Sequence, residues 1–314
     1  MAVFTELSCD EVAAFFLTLG LSQPRSVRGI VTGIENTNYF VDTDGGEYVL
    51  TLFERLTFEQ LPFYLHFMKH LAAQGMPVPD PVANADGAIL HSLKERPAVV
   101  VNRLPGKSET EPTAAHCSSL GEFLARLHLT GLDYPRRQAN PRGLEWWNEV
   151  VPVVGRCASD GQRLLLASEL AFQNQIALSW AYRQLPRGPV HADLFRDNVL
   201  FEKGLLSGVF DFYFAGCDAF LFDVAVCLND WCVDSRTGRQ DGTRAAVFLG
   251  AYESVRALIP SEHVLLPAMR RAGAFRFWLS RLWDLPRQAA LLKPHDPSHF
   301  ERMLRVLRGE IGSS

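Results

Sequence analysis

A chain of 314 residues, 47% hydrophobic and 21% charged, has the make-up of an ordinary globular protein and is long enough for two domains or one large bilobal one. Its formal charge of −4 argues against nucleic acid or an anionic membrane as the main partner, because either favours a concentrated basic surface. The opening residues carry acids and no basic residue ahead of their apolar run, unlike a secretory leader, and no stretch approaches the roughly 20 apolar residues that span a bilayer. The six cysteines are scattered with no CxxC pair, and even Cys227 and Cys232 fit neither a zinc site nor a disulfide framework. A reduced, cytoplasmic protein with buried thiols is the expectation.

In chain order, SerCysAspGlu at 8–11 supplies capping chemistry and Val12, Phe15, Phe16 and Leu19 recur at helical spacing before Gly20, which predicts a first helix. From Val27 to Phe53 the period changes to two, and AspGlyGly at 44–46 turns one strand into the next, predicting a β-hairpin. Residues 57–74 predict a helix with Phe58, Leu61, Leu65, Met68 and Leu71 on one face, closed by Gly75. Short strands are expected near 88–90 and at 98–101, with 102–107 as a connector. After 112 the pattern is helical: Leu120, Phe123, Leu124 and Leu127 form one stripe, and a second lies within 161–183. A β-rich island at 188–215 interrupts it, and helices resume from about 218 to a loose tail at 310–314. The expectation is an α+β, bilobal architecture: a small β-rich N-terminal lobe (1–103), a hinge near 102–106, and a larger helical C-terminal lobe (104–314).

The island carries the chemistry. It reads HisAlaAspLeuPheArgAspAsnValLeuPhe (191–201), a GluLysGly turn, then SerGlyValPheAspPheTyr (207–213). A loop exposing Asp193 and Asn198 should precede a hairpin whose second strand ends on Asp211, gathering three proton- and metal-competent groups at one end of that hairpin. Phosphoryl transfer from ATP needs this set. One carboxylate orients the acceptor hydroxyl and takes its proton, while a second carboxylate and a neutral oxygen hold the Mg²⁺ that bridges the phosphates.

HisAlaAspLeuPheArgAspAsn resembles the H-x-D-x-x-x-x-N catalytic loop of the aminoglycoside phosphotransferase and choline kinase superfamily, distant relatives of protein kinases, and ValPheAspPhe resembles its metal-binding segment. The resemblance implies a protein-kinase-like fold, ATP and Mg²⁺ as cofactors, Asp193 as base, and Asn198 and Asp211 as metal ligands. ThrGlyIleGluAsnThrAsnTyrPheVal (32–41) looks like the nucleotide loop, which implies ATP contacts from Gly33, Asn36 and Asn38, joined by Thr51, Arg55, Asn102 and Leu104. LeuGlyGluPheLeuAlaArgLeuHis (120–128) looks like the first large-lobe helix, with His128 structural rather than catalytic. AspValAlaValCysLeuAsnAspTrp (223–231) resembles the helix after the metal segment: Asp223, with His191, would brace the catalytic loop, and Asn229 and Asp230 would point towards the acceptor. One segment departs from the pattern. The third strand puts Thr51 where many members carry a phosphate-binding cation, leaving Arg55 and Arg196 as candidate replacements and Glu59 as the nearest acid, more naturally an exposed capping glutamate.

Within the superfamily, the same segments look most like the bacterial homoserine kinases of this fold, in which Thr in the third strand is a family trait. That implies L-homoserine as the small-molecule acceptor, in threonine biosynthesis, with Asn229 and Asp230 serving its ammonium. Arg276, Arg281 and Arg287 are candidate carboxylate partners, although each taken singly reads as part of a solvated helix face. Composition and spacing by themselves reach only a hydroxyl kinase. Two alternatives stay open: a choline, ethanolamine or methylthioribose kinase with an aromatic cage from Trp231, Trp278 and Trp283, and a pseudokinase that holds nucleotide without turnover. Intact Asp193, Asn198 and Asp211 weigh against the pseudokinase.

Overall fold

The computed structural model describes residues 5–30, 36–234, 239–288 and 296–309, without the side chains of 286–288. Gly33, the side chain of Arg287 and the tail at 310–314 therefore lie outside the described residues. The chain forms two compact units, and the division falls at 107/108 rather than 103/104. The first unit also takes 200–203 and 207–213 from the later sequence, so it carries Asp211, while Asp193 and Asn198 belong to the second.

In the first unit, helix α1 (Cys9–Thr18) starts as its sequence predicts. Ser8 accepts from the Glu11 amide and the Glu11 carboxylate accepts from the Ser8 amide, a reciprocal capping box. Strands β1 (Pro24–Gly29), β2 (Asn36–Thr43) and β3 (Gly46–Phe53) follow, then α2 (Leu61–Ala73), β4 (His91–Leu93) and β5 (Arg96–Asn102). The sheet runs β1-β2-β3-β5-β4 and is antiparallel throughout. Alternate residues of β2, Thr37, Tyr39, Val41 and Thr43, are buried. They share one face with Leu50 and Leu52 of β3, and Val12, Phe15 and Phe16 of α1 close over it. Each fully buried side chain of this kind stabilises by about 1.5–3 kcal/mol relative to exposure.

Two boundaries differ from the sequence reading. Helix α2 begins four residues after 57, because Phe58 lies in an exposed turn and Pro62 sits at the first turn, where its missing N–H is harmless. The strand expected near 88–90 lies at 91–93, with Ile89 a buried plug ahead of it.

The second unit contains α3 (Ala114–Thr130), α4 (Leu144–Val154), α5 (Asp160–Leu178), α6 (Trp180–Arg183) and β6 (Arg187–Val190). Strands β7 (Val199–Glu202) and β8 (Leu205–Val209), most of whose residues fall in the first unit, form a small sheet of their own, and β9 (Gly216–Ala219) pairs antiparallel with β6. Helices α7 (Phe220–Trp231), α8 (Gly242–Val255), α9 (Pro260–Gln288) and α10 (Ser298–Leu307) complete it. Helix α7 is buried along nearly all its residues, Asp230 apart, as an apolar-all-round sequence requires. Helix α3 crosses α8 at Gly121, where a Cβ would come within 2.3 Å of the Phe248 carbonyl oxygen, so only glycine permits this crossing. Cys117, Cys227 and Cys232 are buried free thiols, but Cys9 and Cys157 are exposed. Among the described residues no helix is long and apolar enough to cross a membrane.

Candidate active site

The loop 191–198 leaves β6 at Val190 and turns at once, with Ala192 in the left-handed region at φ 64°. A non-glycine residue there is strained by about 1–3 kcal/mol unless its surroundings hold it. Asp223 provides that hold. Fully buried in α7, it accepts from the amides of His191 and Ala192, both at 2.7 Å, one on each carboxylate oxygen. Its Oδ2 also takes His128 Nε2 at 3.2 Å. Because a carboxylate only accepts, His128 carries its proton on Nε2, and Nδ1 accepts from the Tyr252 hydroxyl at 2.8 Å. Burial keeps the His128 imidazole below its ordinary pKa, against the pull of Asp223. Behind it Arg256 donates to Tyr252 and pairs with Glu262, a buried chain running from the start of α9 to the loop. The loop is pinned again at Leu194, whose carbonyl accepts from Trp231 Nε1 at 3.0 Å.

This frame presents Asp193, 16% exposed. The His191 ring accepts its amide at 3.3 Å, Arg276 Nη1 lies 3.2 Å from Oδ1, and Asn198 Nδ2 lies 3.4 Å from Oδ2. The same Asn198 nitrogen donates to the Asp193 carbonyl at 2.8 Å, and among the described residues none donates to the Asn198 amide oxygen. That is a hard, neutral oxygen of the kind Mg²⁺ accepts. Arg276, by sequence a candidate carboxylate partner that taken singly reads as a solvated face, is 3% exposed and stacks over Phe277 at 3.8 Å and Phe214 at 5.0 Å. Burial, and then Arg142 and Arg281, lower its pKa to about 10, while Asp193 opposes the shift. Its neighbours Phe275, Phe277, Trp278 and Leu279 are the sequence signal that this stretch of the helix, 272–279, is buried on every side.

The expected acceptor groups are placed differently. Asn229 donates to the Arg270 carbonyl at 2.7 Å and accepts from Arg270 Nε at 3.0 Å, so both ends of its amide are occupied. Asp230 accepts the Arg196 amide at 2.9 Å and its Nε at 3.3 Å, while Arg196 also donates to the carbonyls of Asp230 and Thr110. Arg196 and Asp230 staple the loop to the end of α7, with side chains 19% and 20% exposed. Of the three tryptophans considered for an aromatic cage, Trp231 and Trp278 are both fully buried in the packing.

In the first unit, β8 ends at Val209, and Asp211 lies two residues beyond it in a left-handed conformation at φ 63°, not on the strand. Asn36 and Asn38 stand on β2 rather than in a loop. Asn38 faces Thr51 across the β2–β3 register, and Thr51 Oγ1 donates to Asn38 Oδ1 at 2.7 Å. Burial, followed by the Asp211 carboxylate, pushes the Tyr213 phenol well above the usual range, while Thr51 acts the other way. Asn38 and Thr51 are thus joined directly, and Tyr213 feels both Thr51 and Asp211 electrostatically. Tyr213 was not singled out from sequence, although it adjoins the recognised segment. Arg55 and Glu59 are exposed beyond β3, and Asn102, at the end of β5, accepts the Asp80 amide at 2.7 Å. Leu104 packs against Gly208, where a Cβ would come within 2.8 Å of it. Among the described residues, no three His, Cys, Asp or Glu side chains assemble as a metal cage.

A buried, strain-bearing loop that presents one carboxylate beside an amide oxygen belongs to a phosphotransferase of the protein-kinase-like kind. Comparison with known proteins agrees. A model of the phosphotransferase enzyme family matches residues 26–258. A homoserine kinase of Polaromonas naphthalenivorans (strain CJ2) is 67% identical over 307 residues, covering 97% of each chain. One of Janthinobacterium sp. (strain Marseille) is 52% identical, over 98% of this chain and 96% of its own. Among solved structures, an amicoumacin kinase in complex with AMP-PNP, Ca²⁺ and Ami superposes with a TM-score of 0.70 at 19% identity, over 92% of this chain and 88% of its own. A choline kinase from Cryptosporidium parvum Iowa II gives 0.64 at 13% identity, over 91% and 88%. The chain belongs to the phosphotransferase enzyme family, and it is a kinase.

Proposed function

We propose that this kinase transfers the γ-phosphoryl group of ATP, with Mg²⁺, to the side-chain hydroxyl of L-homoserine. The observation that carries the acceptor is the near-full-length similarity to homoserine kinases, 67% identical in one case. The chemistry rests on Asp193, held by Arg276 and Asn198 on a loop that Asp223 and His191 stabilise. Asp193 orients the acceptor hydroxyl and receives its proton as the oxygen attacks. Asn198 and Asp211 are the residues that would hold Mg²⁺, one neutral and one anionic oxygen donor. Held there, Mg²⁺ would offset charge on the phosphates. Asn36, Asn38, Thr51, Arg55, Asn102 and Leu104 are the candidates for the nucleotide side.

The metal assignment gives a graded expectation. Asp211→Asn and Asn198→Ala each raise the Mg²⁺ concentration for half-maximal rate, and Asp211→Asn raises it further because it removes a charge. An unchanged Mg²⁺ titration in both variants places the metal on other residues. The acceptor is tested by ADP release with homoserine, choline, ethanolamine, methylthioribose and an aminoglycoside at equal concentration. Homoserine should lead by at least about tenfold, since a site built for its polar groups rejects analogues that leave them unmet. Choline or an aminoglycoside leading by that margin ends the homoserine assignment and leaves the kinase.

A further inference from the structure

Arg276 has more donors than the fold employs. Its Nη1 faces Asp193, but Nε and Nη2 are buried with no hydrogen-bond partner among the described residues. One helical turn along the same face, the Ser280 hydroxyl oxygen is likewise buried and without a partner. Buried donors are normally satisfied, so a fork left open beside the candidate base marks a place for a ligand. Nε and Nη2 make up one edge of the guanidinium, the edge whose two parallel N–H bonds match a carboxylate. The plane is fixed by Phe277 and Phe214, so the fork is set before anything binds. Arg142 and Arg281 act on Arg276 as like charges, and Asp193 is its ion-pair partner, so an incoming anion meets a positive surrounding.

We propose that the Nε–Nη2 edge of Arg276 binds the α-carboxylate of an amino-acid acceptor, with the Ser280 hydroxyl beside it. This rests on the acceptor reading above and deepens it. One guanidinium then holds the base on one edge and the carboxylate on another. That sets how far the reacting hydroxyl lies from the carboxylate end, and it separates amino acids from amino alcohols.

The test compares L-homoserine with L-homoserine amide, which keeps the shape and the hydroxyl but lacks the charge, in the wild type and in Arg276→Lys. The wild type should prefer homoserine by about 10²-fold in kcat/KM, the scale of a bidentate charge-assisted pair. Arg276→Lys should lose activity on both acceptors through Asp193, but the preference itself should collapse to within about fivefold, mostly through the KM for homoserine. A role confined to holding Asp193 would lower both acceptors equally and leave the ratio intact; that result overturns the proposal. A wild-type ratio near one overturns it without any variant, so a poorly folding Arg276→Lys does not shield it. Wild-type enzyme that turns over another acceptor and not homoserine instead overturns the acceptor reading, and the carboxylate site with it.

Discussion

Asp193→Asn should lower kcat by about 10²–10⁴-fold with little change in nucleotide affinity, the usual scale for loss of a general base. The amide keeps the shape and one oxygen for Arg276 Nη1, so the loss reports chemistry rather than packing. Asp193→Ala should be as inactive and also less stable. It removes the only ion-pair partner, among the described residues, of a guanidinium that is 3% exposed, and an unpaired buried charge costs about 3–5 kcal/mol. With Asp193 itself 16% exposed and two aromatic faces still against Arg276, the penalty should fall at or below the lower end of that range. Steady-state kinetics with a thermal melt separate the two effects. Near-normal turnover in Asp193→Asn removes it from the role of base.

The largest loss of stability is expected from Asp223→Ala. Three donors, the amides of His191 and Ala192 and His128 Nε2, end on one fully buried carboxylate. Truncation leaves all three unmet at about 1–3 kcal/mol each, eased where water can enter. It also releases the left-handed turn at Ala192. A net loss of roughly 3–5 kcal/mol follows, with activity lost as the loop relaxes. Asp223→Asn should fall between, because its nitrogen meets another donor. All six tryptophans lie in the second unit, so their fluorescence in a denaturant titration reads that unit alone. A midpoint equal to wild type would show that Asp223 holds nothing.

Much of this was legible before any coordinates, for local reasons. The capping box at Ser8, the hairpin through Asp44 and the glycine stop at 75 depend on near neighbours, and the structure has them. The loop 191–198 was legible because its polar residues stand at fixed short spacing. What the sequence did not show were distant partners. Asn229 and Asp230 look available in sequence, but Arg270 and Arg196 reach them from 41 and 34 residues away. Helix α4 went unremarked because Pro152 and two flanking glycines break its pattern, and packing of Trp147, Val150 and Val151 forms it nonetheless. The buried chain from His128 to Glu262 leaves no periodic trace, since each member looks like a surface residue alone.

The sealing of two loop amides by Asp223 also governs how this loop moves. The N–H groups of His191 and Ala192 point into a buried carboxylate, so solvent cannot reach them through local fraying. In deuterium exchange these two amides should be among the slowest in the chain, although they belong to a loop, and should open only with the helices around α7. Their exchange would then track denaturant in step with the core of the second unit. Heat inactivation would share that cooperativity: the enzyme should keep its working loop until the whole unit gives way, with no window in which a folded body carries a melted catalytic segment.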